Sequence, residues 1–220
     1  GGAALSVMGT QNARAVVPSF RYDLKRPEDN VALTAKITGS LDDRTTYLQY
    51  YGEIFEVVPG RVQECLFRLK GIIKSRWTQA GKNEYHRENF EQGLYCDKDS
   101  GAVLKTYRNP FTGEINKPLH YKNGPSTETI KPIRKDGTPY VLPWRIVGNQ
   151  ISLTESGARA RKAYLDPDVW GAASTGPQMQ FMSSSTYFAD VREVADLSLP
   201  TVPSDHSWAY LSPFPAWMLM

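Results

Sequence analysis

The chain has 220 residues, of which 40% are hydrophobic and 22% are charged, and its formal net charge is +3. These proportions are typical of a globular domain and exclude an intrinsically disordered chain. Because 26 basic residues nearly balance 23 acidic ones, the composition gives no sign of a nucleic-acid-binding protein. The sequence contains no uninterrupted apolar run of about 18 residues, which excludes a membrane-spanning helix.

The two ends of the chain differ from its middle. Residues 1–15 combine a small-residue apolar run with the sequence Ala13-Arg14-Ala15, which is typical of the end of a secretion signal. We therefore predict export to the periplasm or the extracellular space; a flexible terminus is the alternative. Residues 212–220 are strongly apolar, whereas natural termini are usually polar. We expect either a natural chain that continues beyond Met220, or a terminus that packs on a partner in a homo-oligomer.

The first half of the chain is predicted to form consecutive β-strands separated by short polar turns. Runs rich in β-branched and aromatic residues, bounded by Gly, Pro, Asn and Asp, indicate the strands. In chain order they cover residues 31–38, 45–58, 62–78, 84–95 and 102–107. Strands joined by such short links favour an antiparallel meander over parallel βαβ units.

The second half contains more turn signals. Asn-Pro, Asn-Gly-Pro and Asp-Gly-Thr-Pro recur over residues 109–143, so this stretch is predicted to form long loops with short strands. Strands are predicted again over 144–153, 178–194 and 207–211, and one helix over 154–165 with Thr154 as its N-cap. No internal repeat or domain boundary is visible, so residues 16–220 form one domain. We predict a mainly β fold, either an antiparallel lipocalin-like barrel or a curved sandwich with long loops.

One face of the predicted strand 45–58 mixes aromatic and polar residues. Alternate side chains of a strand share a face, and here they are Tyr47, Gln49, Tyr51, Glu53 and Phe55. The inner wall of a ligand-holding barrel has such a mixture, and so does the edge of an ordinary sandwich. Under the first interpretation, Glu53 and Tyr51 are candidate catalytic residues, and Tyr47 and Phe55 are candidate ligand contacts.

The histidines His86, His120 and His206 are the candidates for proton transfer. Their spacing matches no metal-binding motif, so we predict no metal site. His120 lies in the loop-rich region and is the third candidate catalytic residue, with a structural hydrogen bond as the alternative. Ser183-Ser184-Ser185 lacks the nucleophile-elbow motif, and Asp205-His206 is a turn that could orient its histidine. Because no Gly-rich phosphate loop is present, no cofactor is predicted.

Four further residues complete the candidate ligand contacts. The strand 84–95 is polar on both faces, so Arg87 borders either a wet pocket or solvent, where it would form cross-strand charge pairs. Asn109, Trp144 and Trp208 are the others, although the tryptophans equally suit core packing. Cys65 and Cys96 are the only cysteines; they could form a disulfide in an exported protein or remain buried thiols.

Several segments in a fixed order carry a family resemblance. They are Asn30…Leu33…Lys36-Ile37-Thr38-Gly39-Ser40-Leu41-Asp42, Tyr51-Gly52-Glu53-Ile54-Phe55-Glu56-Val57-Val58-Pro59-Gly60, Asp97…Ser100-Gly101…Val103-Leu104, Asn109-Pro110-Phe111-Thr112-Gly113-Glu114 with His120 following, and Ser207-Trp208-Ala209-Tyr210-Leu211-Ser212-Pro213-Phe214-Pro215-Ala216-Trp217-Met218. Over residues 30–218 the chain resembles the domain of unknown function 1838 family of bacteria and fungi. The resemblance implies an export signal and a chain that continues past the last segment, and it implies no activity.

Together these observations predict an exported protein that binds a small, largely apolar organic molecule in an aromatic cavity. Glu53, His120 and Tyr51 would serve a cofactor-free isomerisation, cyclisation or hydrolysis. A non-catalytic binding or assembly subunit is the alternative. The expected partner is the small molecule, without nucleic acid or a membrane span, and a homo-oligomer stays open.

Overall fold

The computed structural model describes residues 20–56, 60–109, 113–118, 120–162 and 178–211. The predicted leader at 1–15 and the apolar end at 212–220 lie outside these residues. In chain order the elements are α1 (Pro27–Thr38), β1 (Thr45–Phe55), β2 (Cys65–Gly81), β3 (Glu84–Asp97), β4 (Tyr107–Arg108), β5 (Ile115–Asn116), β6 (Tyr121–Ile130), β7 (Trp144–Val147), β8 (Gln150–Lys162), β9 (Gln178–Asp190), α2 (Val191–Ala195) and β10 (Ser204–Leu211). None of the described helices is long and apolar enough to cross a membrane.

Two four-stranded antiparallel sheets form most of the described structure. The first sheet has the strand order β1-β2-β3-β6 and the second has β10-β9-β8-β7, while β4 and β5 form a separate small hairpin. The prediction of a mainly β, antiparallel fold is therefore confirmed. The described strands form no closed barrel.

Helix α1 joins the cores of the two sheets. Leu33 and Ile37 pack in one apolar cluster with Ile151 of β8, and Val31 and Ala35 pack in a second cluster that contains Trp77 of β2. We call the sheet faces that carry these clusters the inner faces. Because α1 contributes to both clusters, its burial on two sides couples the sheets, and each buried aliphatic side chain contributes about 1.5–3 kcal/mol.

The strand predicted over residues 31–38 is wrong, because this segment lies within α1. Pro27 occupies the start of the helix, where its fixed φ is favourable, and the acidic Glu28 and Asp29 lie in the first turn, where the helix dipole favours negative charge. The apolar residues that suggested a strand alternate because this helix is buried on two opposite sides. Apolar residues at every second position therefore arise here from a helix that packs between two sheets.

The helix predicted over residues 154–165 is also wrong, because residues through Lys162 continue β8. This strand pairs with β9 from Gln150 opposite Asp190 to Lys162 opposite Gln178. Thr154 caps no helix; its hydroxyl bonds that of Thr186 across the sheet at 3.0 Å. Long pairing with β9 overrides the weak local preference for a helix.

Smaller differences concern the lengths of elements. Within the predicted loop region 109–143, β6 forms a ten-residue strand that lies at the edge of the first sheet. The strand predicted over 102–107 is reduced to one bridge between Cys96 and Val103 and the start of β4. Cys65 and Cys96 are free thiols. They lie on neighbouring strands, but Cys96 is opposite Arg68, so the two cysteines are out of register for a disulfide across the sheet.

Candidate functional site

The inner face of the second sheet changes from apolar to polar along its strands. Opposite residues of an antiparallel pair lie on the same face, so the register defines rows across β8, β9 and β10. The row of Leu153, Tyr187 and His206 borders the core. The next row consists of Glu155, Ser185 and Trp208, and the third of Gly157, Ser183 and Tyr210.

His206 is held by two residues of β9. Its Nε2 atom lies 2.5 Å from Ser185 Oγ, and its ring is stacked on that of Tyr187, with centroids 4.1 Å apart and an interplanar angle of 9°. Tyr187 and Ser185 are two positions apart on β9, so their side chains lie on the same face of the strand. With the imidazole proton on Nδ1, Ser185 Oγ donates to Nε2, while Tyr187 holds the ring by stacking.

The surroundings of His206 favour a neutral imidazole. Burial lowers its pKa from the ordinary value, and the positive charge of Arg87 on the first sheet lowers it further. A neutral imidazole can accept a proton, which is the requirement for a general base near neutral pH. Burial raises the pKa of Tyr187, against smaller opposing effects of Arg87 and Ser185, so this phenol stays protonated and can donate a hydrogen bond.

Arg87 brings a fixed positive charge from the first sheet to this cluster. Its guanidinium donates to Ser75 Oγ at 3.1 Å and to Asn89 Oδ1 at 3.2 Å. It also pairs with Glu128 at 3.2 Å and lies over the Trp77 ring, 5.5 Å from the centroid. These contacts come from several sides of the planar group, so Arg87 is restrained in orientation.

A second tyrosine belongs to the cluster, and two carboxylates lie near it. Burial raises the pKa of Tyr140 against an opposing effect of Thr34 of α1, and the charges of Glu128 and Glu155 add to the increase. The same two carboxylates raise the pKa of Tyr187, so one acid from each sheet lies near both phenols. We call Arg87, Tyr140, Ser185, Tyr187 and His206 the polar cluster. Concentrated pKa shifts of this kind mark candidate functional sites.

The polar cluster opens towards solvent on the side of the second row. Glu155 is exposed, and Trp208 keeps 49% of its surface accessible. A Cβ atom added at Gly157 would meet no described atom within 4 Å. The inner face is therefore accessible beside Ser185, and the indole of Trp208 supplies an apolar wall there.

A separate cavity of about 500 Å³ lies at the other end of the second sheet, between β7–β8, β9, α2 and β10. Asp190 and Glu193 line it together with Asn149 and Asp205. Asp190 caps α2 by accepting from the Arg192 backbone N–H at 2.8 Å. Because Asp190 already has this structural role, the cavity is a weaker candidate site than the polar cluster.

The structure places the candidates of strand 45–58 on the outer face of the first sheet. Tyr47, Tyr51 and Phe55 are exposed there. Glu53 lies opposite Arg68, with Oε1 3.8 Å from the Arg68 Nε atom. This face is turned away from α1 and from the polar cluster.

His120 has a contact on the other side of the same sheet. Its Nδ1 accepts a hydrogen bond from the backbone N–H of Tyr95 at 3.2 Å. Its ring is stacked on that of Tyr95, with centroids 6.3 Å apart, and Tyr95 is almost fully buried. Hence the structure does not bring His120 together with Glu53 and Tyr51.

Of the predicted ligand contacts, Arg87 belongs to the polar cluster and Trp208 borders it. Trp144 is buried in the apolar cluster of the second sheet. Asn109 is buried beside the β4–β5 hairpin, where its backbone N–H donates to the Glu114 carbonyl at 2.8 Å. These two residues therefore lie in packed structure rather than at an accessible surface.

Sequence reasoning did not select Tyr140, Ser185 or Tyr187 as site residues, and it preferred His120 to His206 among the three candidate histidines. The four residues lie on β9, β10 and the loop after β6, and no short motif contains them. The available signal was alternation: Ser183, Ser185 and Tyr187 share a face of β9, and His206 lies on a strand that pairs with it. Only the register of that pair places Ser185 beside His206.

Comparison with known proteins identifies the family. A family model described as a protein of unknown function, DUF1838, matches residues 43–220. The chain belongs to the DUF1838 family. The match confirms the resemblance carried by the sequence segments, and the DUF1838 region includes every residue of the polar cluster but not α1. No curated protein and no solved structure matches the chain.

Proposed function

We propose that this DUF1838 protein binds a small, largely apolar organic molecule beside the polar cluster, and that His206 acts on it as a general base without a cofactor. The observation that carries the proposal is the contact of 2.5 Å between His206 Nε2 and Ser185 Oγ in surroundings that lower the histidine pKa. A nucleophile or proton carrier paired with a neutral base is a recurring catalytic arrangement.

The second and third rows supply the binding surface in this proposal. Trp208 and Tyr210 lie with ring centroids 5.8 Å apart and tilted by 55°, so they offer a broad apolar contact. Ser185 and Glu155 provide polar groups on the same face. Apolar walls with a few convergent polar groups are characteristic of small-molecule sites.

The polar cluster supplies the chemistry. His206 would take a proton either directly from the ligand or through Ser185, and Arg87 would oppose retention of the resulting positive charge. The Tyr187 phenol would donate to negative charge that develops on a ligand oxygen. Isomerisation, cyclisation and hydrolysis all need such a proton transfer, so the same step by His206 would serve any of these three reaction classes.

Export remains part of the proposed function. Its support is the signal-like sequence of residues 1–15 and the resemblance to a family whose members often carry an export signal. An organic ligand taken from outside the cytoplasm is consistent with an accessible site.

A non-catalytic carrier or assembly subunit is the second candidate. The observation that favours it is that His206 already bonds Ser185 and stacks on Tyr187. The same two contacts would hold a purely structural histidine in place. In that case Trp208 and Tyr210 would provide the binding surface alone.

Native mass spectrometry of protein purified with its own leader tests the proposal. We expect a small organic mass on the wild type and on His206→Gln, and its loss from Trp208→Ala. If His206 is catalytic, the ligand extracted from His206→Gln is the unconverted substrate and that from the wild type is the product, because loss of a general base slows turnover by about 10²–10⁴-fold. Liquid chromatography of the extracted ligand separates the two compounds even where they are isomers of equal mass.

The matched control is His86→Gln, which changes a histidine of the first sheet whose ring bonds the Thr129 hydroxyl at 3.1 Å. This control should behave as the wild type does. The same extracted compound from the wild type and His206→Gln would favour the carrier. Binding of the apolar dye 1-anilinonaphthalene-8-sulfonate equally to the wild type and Trp208→Ala, with no organic mass on either, would exclude the site.

A further inference from the structure

The edge strand β1 exposes aromatic rings on the outer face of the first sheet. Tyr51 is 80% exposed, Tyr47 63% and Phe55 45%, and they occur at alternate positions that share one face. Soluble proteins usually protect an edge strand with charges, or keep large apolar groups off it. Three exposed rings in one line therefore indicate a surface with a partner.

Basic residues form a parallel row on the neighbouring strand β2. Lys74 lies opposite Tyr47, Lys70 lies opposite Tyr51, and Ile72 lies between them on the same face. Arg68 and Arg76 extend the row at its ends. We call these four basic residues with Ile72 and the three aromatic residues of β1 the basic–aromatic face.

The charges of the basic–aromatic face are only partly balanced. Glu53 lies near Arg68, with a separation of 3.8 Å, and Glu88 lies opposite Arg76. Among the described residues, Lys74 has no ion pair. Lys122 of β6 adds a further positive charge to this side of the sheet, with Nζ 5.9 Å from the centroid of the Phe90 ring. The net positive charge selects an anionic partner.

We propose that the basic–aromatic face binds the surface of a membrane that contains anionic lipids. Tyrosine rings favour the region between water and hydrocarbon, and lysine side chains lay their apolar stems along that region with the ammonium group at the phosphates. Each Lys or Arg near an anionic lipid surface contributes about 1 kcal/mol. The face is peripheral in this arrangement, and no part of the chain needs to span the bilayer.

A membrane surface fits better than a linear anionic polymer. The positive charges are distributed over β2 and β6, and rings lie on both β1 and β3, so the surface extends in two dimensions. A single-stranded nucleic acid instead follows one line of basic residues with successive stacked bases. The basic–aromatic face lies on the side of the first sheet opposite the inner face, so this proposal is independent of the polar cluster.

Co-sedimentation of the full chain with vesicles tests the proposal. We expect binding to vesicles of phosphatidylcholine mixed with phosphatidylglycerol, and little binding to phosphatidylcholine alone. Lys70→Gln combined with Lys74→Gln should weaken binding by about 30-fold, which is two charges at about 1 kcal/mol each. Tyr47→Ser combined with Tyr51→Ser should also weaken vesicle binding, because it removes two rings from the apolar part of the contact. Added salt should reduce vesicle binding of the wild type.

Two matched controls separate this face from general charge and hydrophobicity. Lys25→Gln with Lys135→Gln removes the same charge from exposed positions before α1 and in the loop after β6, and Met182→Ser with Leu211→Ser removes exposed apolar groups from the outer face of the second sheet. Both controls should bind as the wild type does, and circular dichroism checks that each variant is folded. Equal binding to both vesicle types, equal losses in the controls, or preferential binding of a single-stranded oligonucleotide would overturn the proposal.

Discussion

The two sheets have the same number of strands and similar pairing, but their outer faces differ in chemistry. The first sheet presents the basic–aromatic face. The second presents hydroxyls, with Thr154 and Thr186 bonded at 3.0 Å and Ser156 and Ser184 at 2.8 Å. A hydroxyl surface that satisfies its own hydrogen bonds attracts no charged partner, whereas unbalanced lysines beside exposed rings do. We therefore expect the first sheet to carry the surface interaction.

The inner faces differ in how far they are covered. On the first sheet Trp77, Glu91 and Tyr95 are all buried along the length of β2 and β3. On the second, Ile151 and Leu153 are buried but Glu155, two residues further along β8, is exposed. The polar cluster lies at this boundary, where burial shifts pKa values and solvent still has access.

Helix α1 is the element that the two inner faces share, and its C-terminal end offers a separate contact to each. Gly39, just after the helix, lies against the Trp77 indole of the first sheet. Lys36 reaches the end of α2 beside the second sheet. Substitutions at these two positions therefore test the attachment of α1 to each side.

Gly39→Ala should have the largest effect on stability. A Cβ atom at this position would clash with Cδ1 of Trp77, and this indole is almost fully buried. Overpacking of this kind costs about 1–3 kcal/mol, and we expect the upper end of that range. Urea unfolding measures this loss of stability as a lower transition midpoint for Gly39→Ala than for the wild type.

Gly52→Ala is the matched control for this substitution. Gly52 lies on β1, and an added Cβ atom there meets no described atom within 4 Å. Its free energy of unfolding should stay close to that of the wild type. An equal loss in both variants would show that the close contact with Trp77 does not limit the position of α1.

Lys36→Met should destabilise the protein by a smaller amount. Lys36 is fully buried, and its Nζ donates to the carbonyls of Val194 at 2.9 Å and Asp196 at 2.6 Å. Methionine preserves the side-chain volume but leaves these carbonyls unsatisfied, at a cost of about 1–3 kcal/mol. Relief of the buried charge offsets part of that cost, so a net loss of about 1 kcal/mol is expected.

The dependence of stability on pH distinguishes a buried, charged Lys36 from a side chain that only fills space. Burial lowers the pKa of Lys36, against a smaller opposing effect of Asp196. Between the folded pKa and the higher unfolded pKa, the unfolded chain binds more protons, so stability rises with pH. That rise should occur in the wild type and be reduced in Lys36→Met; identical alkaline profiles would contradict the buried charge.

Three strands of the first sheet, β1, β2 and β3, were the most predictable part of the fold, whereas its edge strand β6 lies in the region predicted to form loops. The strands predicted over 45–58 and 84–95 correspond to β1 and β3, because β-branched and aromatic residues lie between clear turn signals. Helix α1 was not predictable from periodicity, since Val31, Leu33, Ala35 and Ile37 alternate as they would in a strand. Only the presence of a sheet on each side of the helix explains that pattern.

The candidate site was less predictable than the fold. Arg87 was selected because a polar strand in mid-domain is unusual, and it lies in the polar cluster. His206 was one of three candidate histidines and was noted for its neighbour Asp205, whereas its contacts are with Ser185 and Tyr187 of another strand. Strand register decides which side chains meet, and a single sequence contains no direct record of register.

The smallest expected effect concerns His206 and acid. Burial and the charge of Arg87 lower the pKa of His206, so on acidification the unfolded chain binds a proton before the folded protein does. Stability should therefore fall as the pH decreases through the ordinary histidine pKa towards the folded one. Urea midpoints at about pH 7.5 and about pH 5 should differ less in His206→Gln than in the wild type. His86→Gln should retain the wild-type difference between the two midpoints, because His86 lies on the outer face of the first sheet and Arg87 on the inner face. An unchanged difference between the midpoints in His206→Gln would mean that another group carries the acid response, and that the polar cluster does not hold this histidine neutral.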